Sequence, residues 1–92
     1  MINVKEACKR AYDDKLNGLR FTRIKDAGDS FIICFAGKNG ERITANPYRI
    51  SKENGERLPF VLPSESCFDM FNKAADVPVP EEYALEIERG DS

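Results

Sequence analysis

Ser30-Phe31-Ile32-Ile33-Cys34-Phe35-Ala36 is the stretch on which the reading of this chain turns. β-Branched and aromatic residues dominate it, which suits a strand. Successive side chains of a strand point to opposite sides, so Phe31, Ile33 and Phe35 share one face and Ile32, Cys34 and Ala36 the other. Both faces are apolar. Such a strand needs cover on each side and belongs in the middle of a sheet. The run is far too short to cross a bilayer, and no membrane partner is expected.

On its amino-terminal side, Asp26-Ala27-Gly28-Asp29 reads as a short turn. Leu19 to Lys25 precedes it as a strand, in which Leu19 and Phe21 alternate with Arg20 and Thr22. Ile24 falls out of phase. A bulge near Arg23 restores the pattern, or else one face is only partly covered. The chain begins with an amphipathic helix over about Val4 to Leu16. Asn3 is its N-cap, with Glu6 at capping-box spacing. Asn17-Gly18 ends it, Gly18 suiting the left-handed C′ position.

On the carboxy-terminal side, Gly37-Lys38-Asn39-Gly40 is a hairpin signal. A return strand over about Glu41 to Ser51 is interrupted at Asn46-Pro47, because proline cannot donate to the ladder. Lys52-Glu53-Asn54-Gly55 is a second hairpin turn, and Arg57 to Leu62 is an edge strand marked by Pro59. A second helix runs from about Glu65 to Ala75, with Ser64 or Ser66 as its cap. Val77-Pro78-Val79-Pro80 is extended, since a residue before proline is pushed out of the helical region. Glu81 to Ser92 mixes strand-like alternation at Tyr83, Leu85 and Ile87 with a helix-start signal at Pro80-Glu81-Glu82.

The expectation is an α+β fold: a four-stranded antiparallel meander with an N-terminal and a C-terminal helix packed on it. Residues 1–80 form one domain and 81–92 an acidic, partly ordered tail. The expected core is Val4, Ala7, Cys8, Ala11, Tyr12, Phe21, Phe31, Ile33, Phe35, Ile50, Phe60, Leu62, Phe68 and Phe71. Truncating Phe31 or Phe35 to alanine is expected to cost about 3–5 kcal/mol.

The 92 residues carry 14 Lys/Arg and 16 Asp/Glu, a net charge of -2. The balance is uneven. Residues 1–75 hold 13 cations against 10 acids (+3), and 76–92 hold one cation against six acids (-5). A mildly basic body with an acidic tail is implied, the tail folding back on that body or meeting a basic partner. No basic flank and apolar run open the chain, so no secretory signal is recognisable and a cytoplasmic location is expected.

Chemistry is sparse. There is no histidine, which removes Ser-His-Asp and Cys-His nucleophiles and the commonest metal ligand. Cys8, Cys34 and Cys67 sit at apolar positions of their segments, without Cys-x-x-Cys spacing, and read as reduced core thiols. No phosphate-cradling loop is present. Asp13-Asp14, Asp26/Asp29 and Glu81-Glu82 offer carboxylate pairs, and each is equally an ordinary helix-end, turn or tail charge. No enzyme activity, cofactor or metal is expected. Arg20, Arg23, Lys25, Arg42, Arg49, Lys52 and Arg57 would make a basic sheet face for nucleic acid, with Tyr48 to stack a base. Interspersed acids and a pI of about 5.2 weaken that field. Tyr48, Arg49, Arg20, Arg23 and Tyr83 are the candidate partner-binding residues, since exposed tyrosine beside arginine has hot-spot chemistry. A tyrosine at either place is also commonly packed core.

The hairpin Tyr48-Arg49-Ile50-Ser51-Lys52-Glu53-Asn54-Gly55-Glu56, following helix, strand and strand, resembles small bacterial PepSY domains and immunity proteins of polymorphic-toxin systems over residues 4–62. Their hairpin reads roughly Val-Asp-Lys-x-Thr-Gly-Glu. Lys52, Gly55 and Glu56 match, Ile50 is a close substitute, and Ser51 and Asn54 replace the usual Asp and Thr. Ala74 to Pro80 is similar to the closing segment of gut-bacterial proteins of this size. The lack of a secretory signal favours the immunity side of the resemblance. It implies a non-catalytic protein-binding module, with a weak nucleic-acid-binding domain as the alternative.

Overall fold

The structure, a computed structural model, describes residues 1–37, 40–41, 46–60 and 65–84. Asn3 begins the first element, α1 (Val4–Asp14): its side-chain oxygen accepts a hydrogen bond from the Glu6 N–H at 2.8 Å. Only half of the capping box forms, because the Glu6 carboxylate turns instead to Arg10 one helical turn on, at 3.0 Å. The helix stops at Asp14, earlier than the periodicity suggests. Gly18 is not its C′ residue. It occupies the third place of the turn closed by Leu19 N–H to the Leu16 carbonyl, where φ of +86° favours glycine.

Four further strands and a helix follow β1 (Arg20–Asp26): β2 (Ser30–Ala36), β3 (Tyr48–Ser51), β4 (Arg57–Leu58), α2 (Glu65–Lys73) and β5 (Ala75–Val77). They make one antiparallel sheet in the order β4-β3-β2-β1-β5. The expected meander is therefore β1 to β4, and a fifth strand adds itself beside β1. Val77 pairs with Ile24, Asp76 with Lys25 and Ala75 with Asp26. Pro78 holds the preceding residue extended, so the chain leaving α2 is already shaped for this edge.

β2 lies at the centre, as its composition requires. The β1–β2 register slips between Phe21 and Arg23, which is the bulge that the phase of Ile24 demanded. Its effect is to put Phe21 and Ile24 on the same side as Ile33 and Phe35. Onto that side packs α1, presenting the fully buried Ala7, Cys8 and Ala11 to β2 and β3. Small side chains let the helix approach the sheet closely. Leu16, Ile50 and Tyr48 complete this core, and Tyr83 closes it by stacking on Phe21 (5.4 Å between centroids) and tilting against Tyr12 at 5.5 Å.

The second side is built differently. Ile32 is 0% exposed, flanked across the strands by Lys25 and Arg49. Both basic side chains are themselves largely buried, and their alkyl stems serve as cover for it while their heads meet Asp76 and Asp29. α2 contributes little cover. Expected to pack on the sheet, it has no buried residue; Phe71 alone reaches Phe60, at 6.4 Å, and the Lys25 ammonium, at 5.3 Å. Phe68, placed in the core by helical spacing, is 58% exposed. Periodicity marks a face as apolar without saying that anything lies against it. Phe35, Phe71, Val4 and Tyr12 are half-buried rather than fully enclosed. The expectations for Leu62, for the strand ends at 42–45 and 61–62, for Arg42, for a Ser64 cap, for the tip of the 37–40 turn and for the tail beyond Ala84 lie outside the described residues. Among the described residues no helix is long and apolar enough to cross a membrane.

This arrangement separates aromatics that looked equivalent. Phe31→Ala is expected to destabilise the fold by about 3–5 kcal/mol and Phe35→Ala by clearly less, while Phe68→Ala stays within about 0.5 kcal/mol of wild type. Urea denaturation of the three variants measures this, and a large loss for Phe68→Ala would overturn the placement of α2.

Candidate functional site

A concavity opens beside Phe35, toward the carboxy-terminal end of β2. β2 continues past Ile33 to Ala36, whereas described β3 starts at Tyr48, opposite Ile33. Phe35 faces Phe21 across the β1–β2 pairing. Around it gather Leu16 and Leu19 from the end of α1, Tyr48 from β3, and Leu58, Pro59 and Phe60 from β4 and its continuation. Together they line a cleft of about 660 Å³, within the range of ligand-binding pockets. Lys15 and Arg57 stand on its lining, which contains no aspartate or glutamate among the described residues.

Tyr48 forms a fixed wall. It is 4% exposed, and its hydroxyl donates to the Asp14 carboxylate at 2.6 Å. Burial first, and the Asp14 hydrogen bond second, push its phenol up to about 12. The hydroxyl therefore stays a neutral donor at physiological pH. The Arg57 guanidinium lies 4.8 Å from the Tyr48 ring centroid, a cation–π contact that restricts an otherwise mobile side chain. Tyr48 had been a candidate contact residue as an exposed tyrosine; it is core, and Arg57 shows outward above it. Its two-residue spacing from Ile50 was the signal for that burial.

The other four candidate residues are not gathered into one surface. Tyr83 is part of the Tyr12–Phe21 cluster, and its carbonyl accepts from the Phe21 N–H at 2.8 Å. Arg20 donates to the Glu82 carbonyl at 2.9 Å. Arg49 donates to the Ser30 hydroxyl at 2.8 Å and pairs with Asp29 at 3.3 Å. Arg23 is exposed on the second side of the sheet. Of the remaining basic-face residues, Lys25 pairs with Asp76 at 3.2 Å. Lys52 pairs with Asp26 at 2.6 Å while lying over the Phe31 ring.

The carboxylate pairs are divided among different partners. Asp13 pairs with Lys9 while Asp14 accepts from Tyr48; Asp26 pairs with Lys52 while Asp29 faces Ser30 and Arg49; Glu82 pairs with Lys5. No metal-holding group of His, Cys, Asp or Glu occurs among the described residues. Cys8 is sealed under α1, and burial, with the Glu82 charge behind it, drives its thiol up to about 12. Burial also raises the Cys34 thiol. Neither is disposed to act as a thiolate. Cys34 and Cys67 are half-buried, so of the three expected core thiols only Cys8 is fully enclosed.

No protein family matches this chain, and no characterised protein or solved structure is significantly similar to it.

The turn network has a pH signature. The Lys52 ammonium, then the Gly28 N–H, hold the Asp26 carboxyl below its ordinary value of 3.8, and the Ser30 hydroxyl, with Arg49, does the same for Asp29. A depressed folded-state pKa stabilises fully above the unfolded value and is lost as pH falls through the folded one. Wild type is therefore expected to lose stability on acidification below about pH 4, and Asp26→Asn to lose less over that window. Urea midpoints from neutral to acid pH test this; identical acid limbs would contradict it.

Proposed function

We propose that this protein is a non-catalytic binding module whose partner is another protein, received at the cleft between the end of α1 and the β3–β4 end of the sheet. One observation carries the reading: an apolar concavity with a rigid aromatic wall and two outward cations, on a fold whose other polar groups are largely committed to one another. Apolar floor, aromatic wall and arginine are the ingredients of interface hot spots. The likeness of the Tyr48–Glu56 hairpin to immunity proteins of polymorphic-toxin systems supports the same class, with a bacterial toxin as the kind of partner. The basic sheet face favours nucleic acid less, since Lys25 and Arg49 are spent on covering Ile32 and on Asp76 and Asp29.

Photocrosslinking tests the reading. A benzophenone side chain replaces Leu58 in the cleft or, as control, Thr22 on the far side of the sheet. In nuclease-treated lysate of the source cells, the Leu58 probe is expected to give a discrete protein adduct that Leu19→Glu abolishes, and the Thr22 probe none. Adducts from Thr22 alone, or adducts to nucleic acid in untreated lysate that replace the protein adduct, would overturn it.

A further inference from the structure

The geometry points to an acidic, apolar peptide segment as the occupant of the cleft, its carboxylate held by Lys15 and Arg57 and its apolar side chain laid on Leu16, Leu19, Phe35 and Phe60. This inference rests on the protein-binding reading above and deepens it. The argument is one of charge complementarity. Seven of the described Lys/Arg side chains are paired with carboxylates: Lys5, Lys9, Arg10, Lys25, Arg49, Lys52 and Lys73. Of the four others, Arg20 is held by the Glu82 carbonyl and Arg23 stands on the far side of the sheet, while Lys15 and Arg57, with no ion pair among the described residues, both line this one cleft. Among the described residues the lining holds no acid, and the Asp14 carboxylate behind the wall is engaged by the Tyr48 hydroxyl.

Their placement matters as much as their charge. Arg57 is seated over a ring that Asp14 already holds in position. Little further ordering is needed when a carboxylate arrives, which keeps the entropic cost of binding low. Arginine also offers its donors in a fork that fits a carboxylate with two parallel bonds. Apolar side chains next to the two cations give a peptide with alternating apolar and acidic residues both contacts within a short span. A nucleic-acid backbone would satisfy the cations and leave the floor bare. The volume suits a few side chains rather than a whole helix face.

The test uses the full chain, isotopically labelled, and two short acetylated and amidated peptides: one of alternating leucine and glutamate, the other with glutamine in place of glutamate. The glutamate peptide is expected to give saturable amide shifts centred on Leu19, Tyr48 and Leu58, and the glutamine peptide to bind at least about tenfold more weakly. Arg57→Glu, which gives up the cation–π contact with Tyr48, should lower the thermal midpoint only modestly, lose the glutamate peptide, and gain a leucine–lysine peptide in its place. Arg57→Lys should retain part of the affinity. Equal binding of the glutamate and glutamine peptides would overturn the carboxylate while leaving a protein-binding cleft in place. Loss of the crosslinks at Leu58 would remove that cleft altogether. Tighter binding of a single-stranded oligonucleotide at the same amides would overturn the peptide as occupant.

Discussion

Ile32 and Ile33 are neighbours in the chain, and both are fully sealed from water on opposite sides of the sheet. That two-sided burial of β2 constrains everything around it. One side meets the constraint in the ordinary way, with a helix of small residues laid on a row of phenylalanine and isoleucine side chains. The other side has no comparable helix. There Ile32 is covered by the stems of Lys25 and Arg49, which stand beside it on the neighbouring strands. Long basic side chains serve here as hydrocarbon. Their heads then need anions at the sheet surface, and Asp76 and Asp29 are placed to supply them.

This division of labour explains why a sequence with many cations on strands builds no open basic surface. The ion pairs themselves are modest contributors: Asp76 and Asp29 are largely exposed, and solvent screens such contacts. The larger effect of each pair is to fix where the stem lies. β5 belongs to the same solution. Its three residues bury little, but pairing with β1 sets Asp76 opposite Lys25 and lays Val77 beside Ile24 on the first side.

Much of this was legible in the sequence because it is local. The phase slip at Ile24 signalled the bulge, Asn3 and Glu6 marked the start of α1, and SFIICFA placed itself at the centre. The failures have a common origin. A three-residue strand such as β5 is too short to show alternation, and only its pairing with β1, remote in the chain, makes it a strand at all. The stripe of Phe68 and Phe71 reads like any helix face, yet the sheet beneath is already covered by Lys25 and Arg49, so Phe71 finds a place and Phe68 does not. Tyr48 could be read either as an exposed contact or as packed core, and its spacing from Ile50 agrees with the burial observed. The cleft was not legible in any degree, since its walls come from four separate segments.

The cleft follows from the same central strand. Beyond the described pairing of Ser30–Ile33 with β3, Phe35 joins Leu16, Leu19 and Phe60 in lining it. An apolar concavity normally exposes surface at a cost, and folds reduce that cost by covering it or by surrounding it with charge. Here the charge has one sign only on the lining, Lys15 and Arg57. If those cations served solubility alone, a mixture of signs would do as well, and nearby acids would be free to pair with them. Instead Asp14, adjacent in sequence to Lys15, is committed to the Tyr48 hydroxyl. That bond stiffens the wall and engages one oxygen of the Asp14 carboxylate. A rigid apolar cleft whose cations have no ion pair among the described residues is costly in isolation, and the cost is recovered when an anionic apolar group fills it.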